Sequence, residues 1–340
     1  MVKKIGIGVY DFKKIIENDY YYVDKTMLIH ELISYSAEVS IIPRPRRFGK
    51  TLNMTMLKYF FEKPLDGVSN AHLFEGLAIA KYPEIMARQG KHPVIFITFK
   101  GVKSTHWDEC YREIKIIVSH VFKHHECFIS HDKLKDSEKK LFSDFIEKRA
   151  NYDDYKNALF FLSELLFKIH GIKPIILIDE YDAPMQAGFE FDYYDEIKNF
   201  MYHFLDNNNL EFAVITGILR IVKDSLFSGM NNSASYSLLD DAYADKFGFL
   251  QHEVDVMLDY FQTPIDHATV RQWYNGYRVG LPKYDTQGNE HFTMIYNPWS
   301  IIECVNKKSL GAHWINTGGH MLIQETMRKA SAEDKENLLQ

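Results

Sequence analysis

Residues 44–51 read Arg-Pro-Arg-Arg-Phe-Gly-Lys-Thr, and a Gly-Lys-Thr of this kind leaves a chain few folds to choose from. It binds phosphate only where a strand delivers the backbone into a tight loop and a helix carries it away. The lysine then reaches the β/γ-phosphates, the threonine hydroxyl ligates Mg²⁺, and the first amides of the helix point at the anion. Both flanks supply the required element. Val39-Ser40-Ile41-Ile42 is a short, β-branched apolar run, and Leu52 to Phe61 is a helix-compatible stretch. The full pattern G-x-x-x-x-G-K-[ST] asks for glycine at position 44, where this chain has Arg44. On the octapeptide alone, nucleotide binding and a purely structural loop stand level.

A second motif lies far downstream. Pro174-Ile175-Ile176-Leu177-Ile178 runs unbroken into Asp179-Glu180, as buried parallel strands do. In P-loop NTPases an Asp at this strand end holds Mg²⁺ through water, and the adjacent Glu orients the attacking water. The competing reading is a strand end followed by a helix cap, and it loses ground once Gly49-Lys50-Thr51 precedes the pair in the right chain order. Further strands are expected at Val94 to Phe99 and Phe212 to Thr216. Helical stretches over roughly 108–124, 137–148, 153–170 and 193–207 separate them. Strands alternating with helices predict a parallel α/β sheet flanked by helices. The strand ending at Thr216 follows the Asp179-Glu180 strand, which is where ATPases of the additional-strand class carry a polar sensor beside the γ-phosphate.

After about residue 250 the alternation stops. Helical runs at 253–262, 264–274, Asn297 to Val305 and Gly319 to Lys329 surround a β-hairpin near 277–296 with its turn at Asp285 to Asn289. Asn297-Pro298 is a helix start, with Asn as cap and Pro at the first helical position. The expected organisation is a P-loop core over 1–250, a smaller, mainly helical or winged-helix-like lid over 251–330, and a linker-like tail over 331–340. Near the N-terminus a helix is expected from Met27 to Ser34, capped by Asp24 or Thr26.

Composition sets the outer limits. The formal charge of −6 over 340 residues does not favour nucleic acid or an anionic membrane, so any nucleic-acid contact must be local. Three widely spaced cysteines, Cys110, Cys127 and Cys304, argue against a disulfide framework and fit a reducing cytoplasm. Neither a signal-peptide core nor an apolar span is present in the sequence, so a cytoplasmic protein is expected. His120, His124, His125 and Cys127 lack a second ligand pair with zinc-site spacing and read as a polar helix end. Glu113-Ile114-Lys115 and Glu196-Ile197-Lys198 lie in helix-patterned stretches, unsuited to the E-x-K strand of a nuclease. Arg44, Arg46 and Arg47 form a cationic loop that clamps triphosphate oxygens, touches a nucleic-acid backbone or is simply a salt-bridged surface loop, the first being favoured beside Lys50. Tyr20 to Tyr22 and Trp273 to Tyr277 read first as packing; the less favoured alternative for Tyr20 to Tyr22 is that they border adenine, where related ATPases pack the segment before the first strand.

These blocks together resemble a known bacterial family, the AAA-ATPase-like proteins that usually carry a PD-(D/E)XK nuclease-like domain after the ATPase. The resemblance is carried by Gly8 to Phe12, Tyr20 to Thr26, Arg44 to Thr51, Leu177 to Asp182, Thr216-Gly217 with Phe227-Ser228-Gly229, Trp273 to Tyr277 and Tyr296 to Ser300. In that family the first P-loop glycine is commonly arginine, so Arg44 matches it. The resemblance implies a P-loop NTPase fold similar to AAA+ and signal-transduction ATPases. It also implies ATP and Mg²⁺ as ligands. Carried over by position, Lys50, Glu180, Thr216 and, more weakly, Arg220 are the catalytic candidates. Arg46, Arg47, Phe48, Gly49, Lys50, Thr51 and Leu52 would contact nucleotide, and Thr51 and Asp179 would hold Mg²⁺. The sequence ends at Gln340, before a nuclease-like domain would begin, so it is expected to be either a truncated form or a stand-alone module, and nuclease activity is not carried over.

The expected function is Mg²⁺-dependent ATP binding and hydrolysis coupled to movement of the lid or a partner, in bacterial defence or DNA transactions. The alternative is a nucleotide-binding switch or scaffold, without turnover, for a nuclease-like domain or a partner chain. Oligomerisation stays open. No guanine-recognition motif of the N/TKxD type follows the Thr216 strand, which favours ATP.

Overall fold

The computed structural model describes residues 2–219 and 233–313, apart from positions 36, 207, 275, 286 and 289. Arg220, Phe227 to Gly229, Gly319 to Lys329, the 331–340 tail, Asn275 and Asn289 therefore lie outside the described residues.

Five strands, β1 (Val39–Pro43), β2 (Val94–Thr98), β3 (Ile175–Asp179), β4 (Ala213–Gly217) and β5 (Ser233–Ser235), form one all-parallel sheet in the order β2-β3-β4-β1-β5. Every residue of β1, β3 and β4 is buried, because helices cover both faces, and this is why the runs are apolar without alternation. Side chains still alternate between two cores. Ile41, Ile176, Ile178, Ala213 and Ile215 face one core with the helices Trp107–His124, Ala158–His170 and Tyr194–Leu205. Ile42, Ile175, Leu177 and Val214 face the other, filled by Met54, Leu57, Phe60 and Phe61 of the helix Lys50–Phe61 and by Leu28 and Ile29 of Met27–Ser34.

The strand order is what positions the site. β4 lies between β1, which feeds the phosphate loop, and β3, which ends at Asp179. With all strands parallel, the residues that follow β1, β2, β3 and β4 emerge at one edge, where α/β sheets bind ligands. Register sets Thr216 beside Ile42 and Asp179 beside Thr98.

Two differences from the sequence reading have local causes. The stretch expected as one helix over 153–170 is two, Tyr152–Lys156 and Ala158–His170. Asn157 breaks it at φ −103°, ψ 8°, with its side-chain amide donating to Asp153 O at 2.8 Å, the local competition with helix that asparagine offers. β5, of composition Ser-Ala-Ser, has no apolar run to announce it and is a strand only because β1 presents an open edge.

Beyond β5 a second, three-stranded antiparallel sheet has the order β6-β8-β7, from β6 (Phe249–Leu250), β7 (Tyr277–Tyr284) and β8 (Glu290–Tyr296). Helices Gln251–Tyr260, His267–Tyr274 and Pro298–Lys307 pack with it around Val254, Met257, Leu258, Ile301 and Cys304. Asn297 caps the last of these, its Oδ1 accepting from Trp299 N and Ser300 N at 3.0 and 3.4 Å. Ile5, Tyr21 and Val23 from the N-terminal segment pack against this same core. Among the described residues no helix is long and apolar enough to cross a membrane.

Candidate nucleotide-binding site

The loop between β1 and the helix Lys50–Phe61 turns through Arg47 at φ +66° and Gly49 at φ +81°. Gly49 occupies the cap position of that helix in the left-handed region, which glycine enters without steric cost. Arg44 does not serve as a phosphate clamp. Its guanidinium is 1% exposed and donates to the backbone carbonyls of Pro43, Tyr236 and Tyr243 at 2.7–3.0 Å, with Phe247 beneath it at 5.3 Å. Burial pulls its pKa down to about 10. The arginine replaces the flexible first glycine with a prop that fixes the loop to residues 236–247, and this corrects the expectation that all three arginines furnish charge to the anion.

The other two stand differently. Arg46 is half-buried and lines the cleft, and Arg47 is exposed with its guanidinium 4.1 Å from the Trp299 ring centroid. Phe48 is among the residues lining the cleft, and its ring is buried against Tyr277, with Ala244, Val279 and Ile295 around it. Its backbone carbonyl accepts from Gly248 N. Leu52 is partly buried at the cleft wall.

Three elements meet at Asp179, which is fully buried. Thr51 Oγ1 donates to Asp179 Oδ2 at 2.6 Å, and Thr216 Oγ1 donates to Asp179 Oδ1 at 2.7 Å. The hydroxyl after the phosphate loop, the carboxylate ending β3 and the hydroxyl near the end of β4 are thus in direct contact. Lys50 is nearly buried, and its ammonium donates to the loop carbonyls of Arg44 and Pro45 at 3.0 and 2.9 Å. Burial lowers its pKa, opposed by the charges of Asp179, Glu180 and Asp182. Glu180 is held at φ +53°. Burial and the neighbouring Asp179 push its pKa up, with Lys50 and Lys100 opposing.

Lys50, Thr51 and Glu180 border a cleft of about 960 Å³, large enough for a nucleotide, while Asp179 and Thr216 are fully buried behind Thr51 and are not among its lining residues. Its walls come from distant parts of the chain: residues 5–10, 21–23 and Lys25, the phosphate loop, the loop after β2, and Phe249, Met257 and Trp299. Tyr21 and Tyr22 line it, and Tyr20 is not among the lining residues. Lys100 and Lys103, missed by the sequence reading, add cationic side chains from the loop after β2, where nothing in their local pattern marks them. Tyr181 and Asp182, taken only as part of a family block, tie the loop after β3 to the residues after β4.

The histidines are elsewhere. His124 Nε2 lies 2.6 Å from Glu62 Oε1, and His125 is buried. Among the described residues no group of three or more His, Cys, Asp or Glu side chains is placed to hold a metal.

With that geometry in view, comparison with known proteins is specific. A family model described as "Predicted AAA-ATPase" matches residues 6–227. The chain belongs to this family. The match takes in the phosphate loop, Asp179, Thr216 and the three strands β1, β3 and β4 that carry them, so this AAA-ATPase-like protein joins family sequence features to a P-loop NTPase sheet. An "Uncharacterized protein in vnfD 5'region" of Azotobacter chroococcum mcd 1 is 27% identical over 340 residues, covering 97% of the AAA-ATPase-like chain and 57% of its own length. The chain thus spans little more than half of that relative.

Proposed function

We propose that the protein binds ATP with Mg²⁺ and hydrolyses it. The observation that carries this reading is the meeting of Thr51 and Thr216 on Asp179, at the mouth of the loop that holds Lys50. A threonine hydroxyl and a carboxylate in contact are the hard oxygen donors Mg²⁺ takes, so Thr51 and Asp179 fit as the residues that would hold it. When bound, the ion neutralises charge on the β- and γ-phosphates. The chain's own residues do the rest. Lys50 exchanges its two loop carbonyls for phosphate oxygens, Arg46 faces the same anion, and Thr216 bonds the γ-phosphate region. Glu180 orients water, a task suited by a carboxyl whose pKa is raised toward neutrality. Arg220, directly after Leu219 in sequence, is proposed as a further cation at the γ-phosphate. Residues from 251 to about 330 act as the lid, because Met257, Pro298 and Trp299 close one wall of the cleft.

Calorimetric titration with ATP and GTP in Mg²⁺, followed by phosphate release, tests this on wild type, Lys50→Ala and Glu180→Gln. Lys50→Ala is expected to lose binding. Glu180→Gln is expected to bind ATP as wild type does and to turn over about 10²–10⁴-fold more slowly. Binding without release from wild type would identify a nucleotide switch, and absence of binding would leave the phosphate loop a structural element.

A further inference from the structure

The loop leaving β3 is pinned to the loop leaving β4 by a set of contacts that the assignments above leave without a role. Tyr181 N donates to Thr216 O at 3.1 Å, and Tyr181 Oη donates to Leu219 O at 2.9 Å. Asp182 Oδ2 accepts from Ile218 N and Leu219 N at 3.0 and 2.9 Å, and from Gln186 Nε2 at 2.6 Å. Both Tyr181 and Asp182 are buried.

Asp182 sits at the cap position of the helix Ala183–Glu190, where an aspartate ordinarily accepts from amides of its own first turn. It makes no such bond. Its carboxylate reaches across to the neighbouring strand end instead, and Pro184 removes one of the amides it would have capped. The opposite side of the contact is cleared to match. A Cβ on Gly217 would lie 2.5 Å from Asp182 Oδ1 and 2.7 Å from the Tyr181 ring, so only glycine admits this approach.

Glu180 lies directly before the pinned residues, and Thr216 directly before Gly217. A non-glycine residue at positive φ persists only where its surroundings fix it, and Glu180 is fixed on one side by the Asp179 contacts and on the other by Tyr181 and Asp182. We propose that Asp182 is a positioning residue, which through the amides of Ile218 and Leu219 locks the Glu180 and Thr216 loops into one frame. The frame keeps the water-orienting carboxylate at a set distance from the residue at the γ-phosphate. This inference rests on the ATPase reading for its kinetic consequence, and on the hydrogen bonds alone for its structural one.

The test uses the full chain with Asp182→Asn, Tyr181→Phe and Glu180→Asp, and Asp182→Asn combined with Glu180→Asp. Asp182→Asn is expected to lower kcat about 100-fold, the cost of misplacing a reacting group by about an ångström, with KM and ATP affinity unchanged. Tyr181→Phe, which removes one hydroxyl and keeps the fold, moves kcat the same way by less. In the Glu180→Asp background, where the carboxylate is already displaced, Asp182→Asn should cost far less than it does alone. An equal loss in both backgrounds, or a loss carried by KM, overturns the proposal. Hydrogen exchange at Ile218 and Leu219 is read with and without Mg·ATP on the same proteins. Should wild type bind ATP and release no phosphate, the ATPase reading fails by itself. The frame then stands if ATP alters exchange at these amides in wild type and not in Asp182→Asn, and falls if ATP leaves them unchanged in both.

Discussion

Glu180 concentrates two costs in one residue. Its backbone occupies the left-handed region, worth about 1–2 kcal/mol against an L-residue with a side chain, and its carboxyl is partly desolvated beside Asp179. Glu180→Gly should therefore raise the midpoint of thermal unfolding, by about 1 kcal/mol of stability, while abolishing turnover. The raised pKa makes two further statements about pH. In the folded protein Glu180 holds its proton more tightly than in the unfolded chain, so it favours the fold at low pH and this contribution is lost as pH rises through the folded-state pKa. In the proposed hydrolysis Glu180 would act ionised, and kcat/KM should then fall on an acid limb above the ordinary glutamate value of 4.5, a limb absent from Glu180→Gln. The residue types at the site were legible because Gly-Lys-Thr and Asp-Glu carry their chemistry in the side chain. The role of Arg44 was not, since a buried guanidinium and a phosphate clamp have the same letter in the sequence.

At the scale of elements, the phosphate loop is a linker anchored at both ends. Phe48 holds it to the second sheet through Tyr277, Val279 and Ile295. Removing that ring leaves a cavity under the loop, so Phe48→Ala should cost about 3–5 kcal/mol in denaturant unfolding and weaken ATP binding. Phe48→Leu should recover most of both. β1, β3 and β4 could be read from sequence because burial on two faces demands unbroken apolar runs. β5 and β6 could not, being three and two residues long and paired only because a neighbouring edge was open. Loop-borne residues such as Lys100 escaped for a related reason: a strand end becomes part of a site only once its neighbour in the sheet is known.

For the molecule as a whole, the N-terminal segment joins the two sheets. Tyr21 packs at a tilt against Tyr260 and edge-on against Phe261, and the buried Lys25 ammonium donates to both oxygens of Glu253 at 2.6–2.7 Å and to Asp245 O. Burial lowers the Lys25 pKa even against the pull of Glu253, so the lysine depends on its partner. Glu253→Gln should destabilise by about 3 kcal/mol in denaturant unfolding, and joint replacement by Lys25→Met and Glu253→Leu should restore most of that loss, because an unpaired buried charge costs more than an apolar pair. From sequence, a boundary near residue 250 followed from the end of strand–helix alternation, yet contacts of residues 5, 21, 23 and 25 cross it. By itself the sequence determined the α/β class, the three central strands and the strand–loop–helix order around Gly49-Lys50-Thr51, and it singled out Lys50, Thr51, Asp179 and Thr216 as candidates, since periodicity and motif chemistry are local properties. Only the tertiary structure decided that β4 enters between β1 and β3, that Arg44 props the loop, and that Asp182 reaches Ile218 and Leu219, because each is a contact between residues far apart in the chain, and no local pattern encodes the distance between them.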